Sequence, residues 1–348
     1  MSGVGIVTRA PLAGEAASDE LAQALGQALA GSPIAVTLVE RRPIPYRSTF
    51  PLDELVVRVA GGPTERLVFK DLSRDGLGSP AWRVKAPFLH HPLREIETYR
   101  DVLAPHELSA PRFRAAVIDP ARGRQWLFLE HVEGDPLWQR GEDAIWKQAA
   151  AWLADMHARF VGRRDDLPQS LLVYDGAFYR RWLARAREFV RWPVRAGGRV
   201  RDFNWLATRT SKVVEWLAGQ PTTFVHGEFY PSNVLIEPEG LVEPAGVGPR
   251  IRPVDWEMAG IGSGLLDLAA LTSGVWSEMD REMMMQAYRS ALPEDLRPAE
   301  DELREGLRRC RLLLAVQWLG WSSEWTPPAE QAHDWLATAL ELAAEVPA

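Results

Sequence analysis

Apolar positions along the chain change period near residue 140. Before it, alternation of two dominates. Residues 54–59 and 66–70 read as paired strands around Gly61-Gly62-Pro63, with Leu67 and Phe69 on one face and Val68 and Lys70 on the other. Residues 125–130 form an apolar strand that runs into His131-Val132-Glu133-Gly134. A helix over 18–30, with Leu21, Leu25, Ala28 and Leu29 on one face, precedes these strands, and another is expected near 92–103. From about 142 the helical period takes over: Ile145, Ala149, Trp152 and Met156 recur at helical spacing. A further helix carries Phe178, Trp182, Leu183 and Phe189, with Trp182 and Phe189 seven apart on the face expected to meet the core. The helix near 203–218 stops at Gly219 with Pro221 behind it. Two or three helices should fill 265–346, carrying Trp318, Trp321, Trp325 and Trp335. Three short strands interrupt the helices: 222–225, then 233–236 and 250–254 as a hairpin, whose Gly- and Pro-rich connection, 237–249, should be an exposed excursion. The pattern predicts an α+β chain of two lobes. Residues 1–133 form an antiparallel-sheet N-lobe with a helix and a helical extension over 1–33, and 134–348 form a mainly helical C-lobe.

Composition narrows the classes. With 348 residues and 46% hydrophobic content, two lobes can each bury a core. No apolar run approaches 18 residues, so no membrane-spanning helix and no membrane partner are expected. The first nine residues lack a basic region followed by a long apolar one, so a signal peptide is not expected and the cytoplasm is the default compartment. Cys310 is the sole cysteine, which excludes an internal disulfide. Net charge is −7; the first 135 residues hold 16 Lys/Arg and 17 Asp/Glu, the remainder 24 and 30. That balance disfavours nucleic acid, which calls for a basic face; the acidic second part would suit a cationic acceptor, or it is ordinary solubility charge. Arg180, Arg181, Arg185, Arg187 and Arg191 oppose the trend; they read as a solvated helix face, or, more sharply, as contacts to an anionic acceptor.

The chemistry sits in His226-Gly227-Glu228-Phe229-Tyr230-Pro231-Ser232-Asn233 and Val254-Asp255-Trp256. This is the spacing H-x-D-x-x-x-x-N followed by a D-x-x turn, with Glu228 in the aspartate's place. Moving the γ-phosphoryl of ATP, or of GTP, needs a carboxylate near the acceptor hydroxyl and metal across the phosphates. Glu228 suits the first task. Asn233 and Asp255 suit magnesium, which takes a few oxygen ligands and keeps waters. Upstream, Lys70 on an apolar strand is costly unless paired. It can hold the α- and β-phosphates with a helix glutamate behind it, Glu95 or alternatively Glu97, or it can snorkel to water. The backbone of Glu130 and Val132 can bind an adenine edge, or 125–130 is simply a core strand ending at a glycine turn.

In order along the chain come Lys70, the 129–134 segment, Leu153-Ala154-Asp155-Met156-His157-Ala158, the 226–233 loop, the Asp255 turn and Gly264-Leu265-Leu266-Asp267-Leu268-Ala269. This series resembles the aminoglycoside phosphotransferase and choline kinase-like family of small-molecule kinases, over roughly residues 35–345. The resemblance implies a protein-kinase-like fold and phosphorylation of a small-molecule acceptor. It implies that Asp267 braces the catalytic loop, that His226 supports it from beneath, and that His157 is structural. There are three departures. Glu228 is one methylene longer than aspartate, and a misplacement of about 1 Å can cost roughly a hundredfold in rate. No G-x-G-x-x-G is present; Ser48 and Thr49, within 43–50, are the candidates over the phosphates. The metal turn reads Asp255-Trp256-Glu257, without the glycine of D-F-G, which argues against flipping of that turn. Glu228 also motivates a different reading, a nucleotide-binding pseudokinase that regulates a partner. A small-molecule binding protein without a nucleotide site is the third.

Overall fold

The computed structural model describes residues 17–30, 35–44, 50–73, 85–191, 199–238, 249–321 and 333–347. The chain divides into two compact units: Met1–Trp82 with Phe113–His131, and Arg83–Arg112 with Val132–Ala348. The first contains a five-stranded antiparallel sheet in the order β1-β2-β3-β5-β4. Its strands are β1 (Val36–Pro43), β2 (Leu52–Val59), β3 (Thr64–Asp71), β4 (Phe113–Asp119) and β5 (Arg124–Glu130). Gly61, at φ +76°, turns β2 into β3. The alternation predicted for these strands becomes burial: Leu55, Val57, Leu67, Phe69, Trp126 and Phe128 point to one face. Helix α1 (Ser18–Ala30) lays Leu21 and Leu25 on that face, each about 1% exposed. The helix thus closes the sheet's core.

The second unit is mainly helical. It begins with a short helix α2 (Arg94–Glu97) that widens into a π-helical turn, Thr98–Leu103. The segment 85–112 groups with this unit because Arg94, 4% exposed, donates to the carbonyls of Leu89, Ser170 and Glu257. Next come β6 (Asp135–Pro136), α3 (Asp143–Phe160), β7 (Leu172–Val173), α4 (Gly176–Val190) and α5 (Val200–Leu217). They are followed by β8 (Thr223–Val225), β9 (Val234–Glu237), β10 (Arg250–Pro253) and β11 (Gly260–Gly262). Strands β9 and β10 form the expected antiparallel hairpin, and β6 joins it; β11 pairs with both β7 and β8.

Two expectations need correction. Four α-helices, not two or three, follow residue 265 among the described residues: α6 (Leu265–Leu271), α7 (Glu278–Ala291), α8 (Glu300–Trp321) and α9 (Trp335–Glu345). A capping box between Ser277 and Asp280 restarts the chain as α7, and Pro293 and Pro298 separate α7 from α8. On α4, Trp182 is fully buried but Phe189 only half so; Ala186 and Val190 complete the buried stripe instead. Phe189 stands in the last turn of α4, which ends at Val190. Helix α8 packs on α4 so closely that a Cβ at Gly320 would lie 2.7 Å from Trp182 Cε3. Arg180, Arg181, Arg187 and Arg191 of the arginine series are exposed, Arg185 half-buried; Arg187 lies over the Phe203 ring. Trp325 falls outside the described residues.

Leu25→Ala should empty the space between α1 and the sheet and cost about 2–5 kcal/mol. Urea denaturation followed by circular dichroism measures it; an unchanged midpoint would mean that α1 does not close this core.

Candidate active site

Strand β8 delivers the chain into the 226–233 loop, and one buried carboxylate receives it. Asp267, on α6 and 0% exposed, accepts the His226 N–H through Oδ2 at 2.6 Å and the Gly227 N–H through Oδ1 at 2.8 Å. His157, at the end of α3, reaches the same Oδ2 from Nε2 at 3.3 Å, while its Nδ1 meets the Tyr288 hydroxyl at 2.9 Å. Gly227 sits at φ +83°, and a Cβ there would stand 2.1 Å from Tyr174 Oη and 2.3 Å from the Met258 carbonyl. Only glycine fits that corner.

The ring of His226 has one tautomer. Its Nε2 lies 3.0 Å from the Val254 carbonyl, which can only accept, so Nε2 carries the proton. Nδ1 then accepts the Glu228 N–H at 3.2 Å. Burial pushes the imidazole's pKa down, with Asp267 opposing, so the ring is neutral near pH 7. It therefore ties the 226–233 loop to the residue before Asp255.

Asn233 is oriented by the same logic. Its Nδ2 donates to the Glu228 carbonyl at 3.0 Å, so its Oδ1 turns the other way. The Val254 N–H donates to the Asn233 carbonyl at 2.8 Å, extending the β9–β10 ladder by one rung. The hairpin thereby brings Asn233 and Asp255 to one end. Asp255 occupies the left-handed region, φ 64° and ψ 65°, at the head of a tight turn, Trp256–Met258. One amide oxygen and one carboxylate at one end of a hairpin make a hard-oxygen donor pair suited to magnesium. Among the described residues no group of three or more His, Cys, Asp or Glu forms a metal site by itself. Glu228 is half-buried, and its charge, after burial, raises the pKa of the Tyr174 and Tyr230 phenols. Tyr174 donates to the Met258 carbonyl at 2.6 Å.

The Asp255–Glu257 turn is pinned by residues that spacing did not reveal. Trp256 is fully buried and stacks on Phe224 at 5.5 Å between centroids. The Glu257 carboxylate pairs with Lys85 at 3.0 Å, with side-chain exposures of 9% and 4%, and Arg94 holds the Glu257 carbonyl at 2.9 Å. The absent glycine of the turn is thus replaced by a side chain with a buried partner. Glu257 carried a signal, since a carboxylate two places after Asp255 is unusual for D-F-G. Lys85, 172 positions away, carried none.

The nucleotide-side residues are found as follows. Lys70 is 3% exposed on β3, opposite Leu127, with its ammonium 5.6 Å from the Phe50 ring. The alternative in which it snorkels to water is not the conformation adopted. Glu95 is buried at 2% on α2. Glu97 is half-buried and accepts the Ser170 hydroxyl, which occupies it elsewhere. Glu130 ends β5 opposite Leu67; Val132 is buried. Ser48 and Thr49 lie outside the described residues.

The model of the phosphotransferase enzyme family matches residues 52–305, which include Lys70, the 226–233 loop, Asp255 and Asp267. The chain belongs to that family and is a phosphotransferase of the kinase type. No curated protein matches it in sequence. Its fold is that of several solved kinases. A choline kinase from Cryptosporidium parvum Iowa II is 15% identical, with 88% of each chain covered and a TM-score of 0.56. An ethanolamine kinase from Plasmodium vivax is 12% identical, with 88% of this chain and 81% of the other covered and a TM-score of 0.59. An aminoglycoside 2'-phosphotransferase-IIIa is 15% identical, with 89% and 92% covered and a TM-score of 0.55. The bilobal, protein-kinase-like α+β class is therefore established. Among the described residues no helix is long and apolar enough to cross a membrane.

Two outcomes test this geometry. Asp267→Asn sets an amide N–H against a backbone N–H; it should cost about 1–3 kcal/mol of stability and abolish most turnover. Thermal melting and kcat check it, and unchanged values would remove the brace. Lys85→Met strands a buried carboxylate and should cost about 3–5 kcal/mol, whereas Lys85→Met with Glu257→Gln should recover most of that loss. A double-mutant cycle without coupling would mean the pair does not hold the turn.

Proposed function

We propose that this protein is an ATP- and magnesium-dependent kinase that phosphorylates a hydroxyl of a small molecule. The observation that carries the reading is the hairpin end at which the Val254 N–H bonds the Asn233 carbonyl, which sets Asn233 beside the residue that precedes Asp255 in the chain, next to the loop that bears Glu228. Magnesium, when bound, supplies charge neutralisation across the phosphates; Asn233 and Asp255 would hold it. In the proposed step the acceptor oxygen bonds to the γ-phosphorus, the bond to the bridging oxygen breaks and ADP leaves. Glu228 orients the hydroxyl and takes its proton. Lys70 is the proposed holder of the α- and β-phosphates, Glu95 its partner, and the Glu130 and Val132 backbone the base-binding edge, with Ser48 and Thr49 over the phosphates. GTP is the alternative donor: one similar structure is a kinase, LicA from Streptococcus pneumoniae, in complex with AMP, and another is a GDP complex. The proposed compartment is the cytoplasm.

Family membership supports the enzyme over the regulatory pseudokinase. So does the support of the Glu228 loop, which keeps its brace and its tautomer lock. Magnesium-dependent ATP consumption against a panel of hydroxylated small molecules tests the proposal. Acceptor-stimulated turnover should vanish in Asp255→Ala, and Glu228→Ala should lower kcat by about 10²–10⁴. No turnover across the panel, with nucleotide binding retained in a thermal shift, would replace the kinase reading by the regulatory one; full turnover in Glu228→Ala would remove that residue's role.

A further inference from the structure

Among the described residues at least three cavities of ligand size open in the helical unit. One, of about 660 Å3 and open to solvent, is lined by Glu97, Asp101, Asp165 and Asp166 and includes no residue of the 226–233 loop. Another, of about 550 Å3, is lined by His157, Thr223, Gly264 and Tyr288, behind the Asp267 brace. It includes no residue of the 226–233 loop, so it is not placed to present a hydroxyl to Glu228. The third, of about 520 Å3, includes Tyr230 of that loop, together with Ser273, Arg311, Trp318, His333 and Trp335. Its size is that of a pocket for a single small ligand.

This third cavity connects to the site through Tyr230. The Tyr230 N–H donates to the Glu228 carbonyl at 2.7 Å, and the Tyr230 hydroxyl accepts from Trp318 Nε1 at 2.8 Å. Burial first, and then the Glu228 charge, raise the Tyr230 phenol's pKa, which puts that carboxylate within electrostatic reach of the cavity wall. Trp318 stacks on Trp335 at 5.4 Å and 11°, and the His333 ring meets Trp335 edge-on at 4.4 Å. Such a wall suits a flat ring.

The charge in the cavity is the informative part. Its described lining contains Arg311 and neither Asp nor Glu. Arg311 makes no ion pair among the described residues; burial first, then Arg281, disfavour its charged form, while the Glu345 carboxylate, acting at longer range, favours it. A half-buried guanidinium that feels the Glu345 carboxylate only at a distance, with no direct ion pair, is a ready partner for an incoming anion. The described acidic residues of 136–348 lie outside this lining. An acceptor with several ammonium groups would meet Arg311 as a like charge and find no carboxylate on the described wall.

On the kinase reading above, we propose that this cavity is the acceptor site. Its acceptor is a ring-bearing alcohol that carries a carboxylate, with the ring against Trp318 and Trp335 and the carboxylate on Arg311. A single guanidinium matches a singly charged carboxylate through two parallel hydrogen bonds.

Calorimetric titration of the full chain, without nucleotide, with para-(hydroxymethyl)benzoate and para-(hydroxymethyl)benzylamine tests it. These probes share ring and alcohol and differ in charge. The carboxylate should bind about tenfold or more tighter. Arg311→Gln should bring the ratio to about one, and Trp335→Ala should weaken both. Equal or tighter binding of the amine, or an undiminished ratio in folded Arg311→Gln, overturns the inference. If Arg311→Gln does not fold, salt decides: the wild-type preference must shrink as ionic strength rises, and a constant preference overturns it. Preserved carboxylate preference without ATP consumption on adding magnesium and ATP overturns the kinase reading instead, and with it the acceptor role of the cavity.

Discussion

The Asp267 carboxylate, fully buried and accepting two successive backbone N–H groups at 2.6 and 2.8 Å, is the interaction around which the 226–233 loop is built. A buried carboxylate is costly unless its lone pairs are used. Here they are used by His226, Gly227 and His157. The same bonds fix the direction in which the chain leaves β8. From that direction follow the left-handed glycine at 227, the ring of His226 pointing at Val254, and the placement of Glu228 on the loop.

A second set of constraints acts on the turn at Asp255. Asp255 adopts a backbone conformation that costs a non-glycine residue about 1–3 kcal/mol, and surrounding contacts must hold it there. Trp256 in the core, Glu257 on Lys85 and the Glu257 carbonyl on Arg94 do so. His226 links this turn to the 226–233 loop through Val254. The Glu228 carboxylate and the Asn233 and Asp255 pair therefore share one framework, and a change in one support is felt at the others. This rigidity bears on the longer Glu228 side chain: the backbone beneath it has little freedom to adjust, so any accommodation lies in the side chain and in the neighbours Tyr174 and Tyr230, both of which sense its charge.

Much of this was legible in the chain. Alternation gave the paired strands that become β2 and β3, and helical spacing gave α1, α3 and α5 nearly to their ends. The hairpin that brings Asn233 and Asp255 together could be read from two short apolar runs around a Gly- and Pro-rich connection. The helix count after 265 was missed because the breaks depend on a capping box and two prolines inside otherwise helical composition. The partial exposure of Phe189 was missed because its spacing matches the buried face, and only its place in the last turn of α4 sets it apart. Lys85 and Arg94 were illegible as site residues, since their partners lie 172 and 163 positions away.

What the sequence by itself determined is membership of the phosphotransferase enzyme family, over residues 52–305, and the hairpin that brings Asn233 and Asp255 to one end, because both depend on short-range order along the chain. What only the tertiary structure decided is which supports hold that end and what surrounds it. Tyr230, Arg311, Trp318 and Trp335 come from a loop and two helices, and no spacing rule links them. They line one cavity because α8 packs against α9, a consequence of long-range burial that the order of residues encodes only through the whole fold.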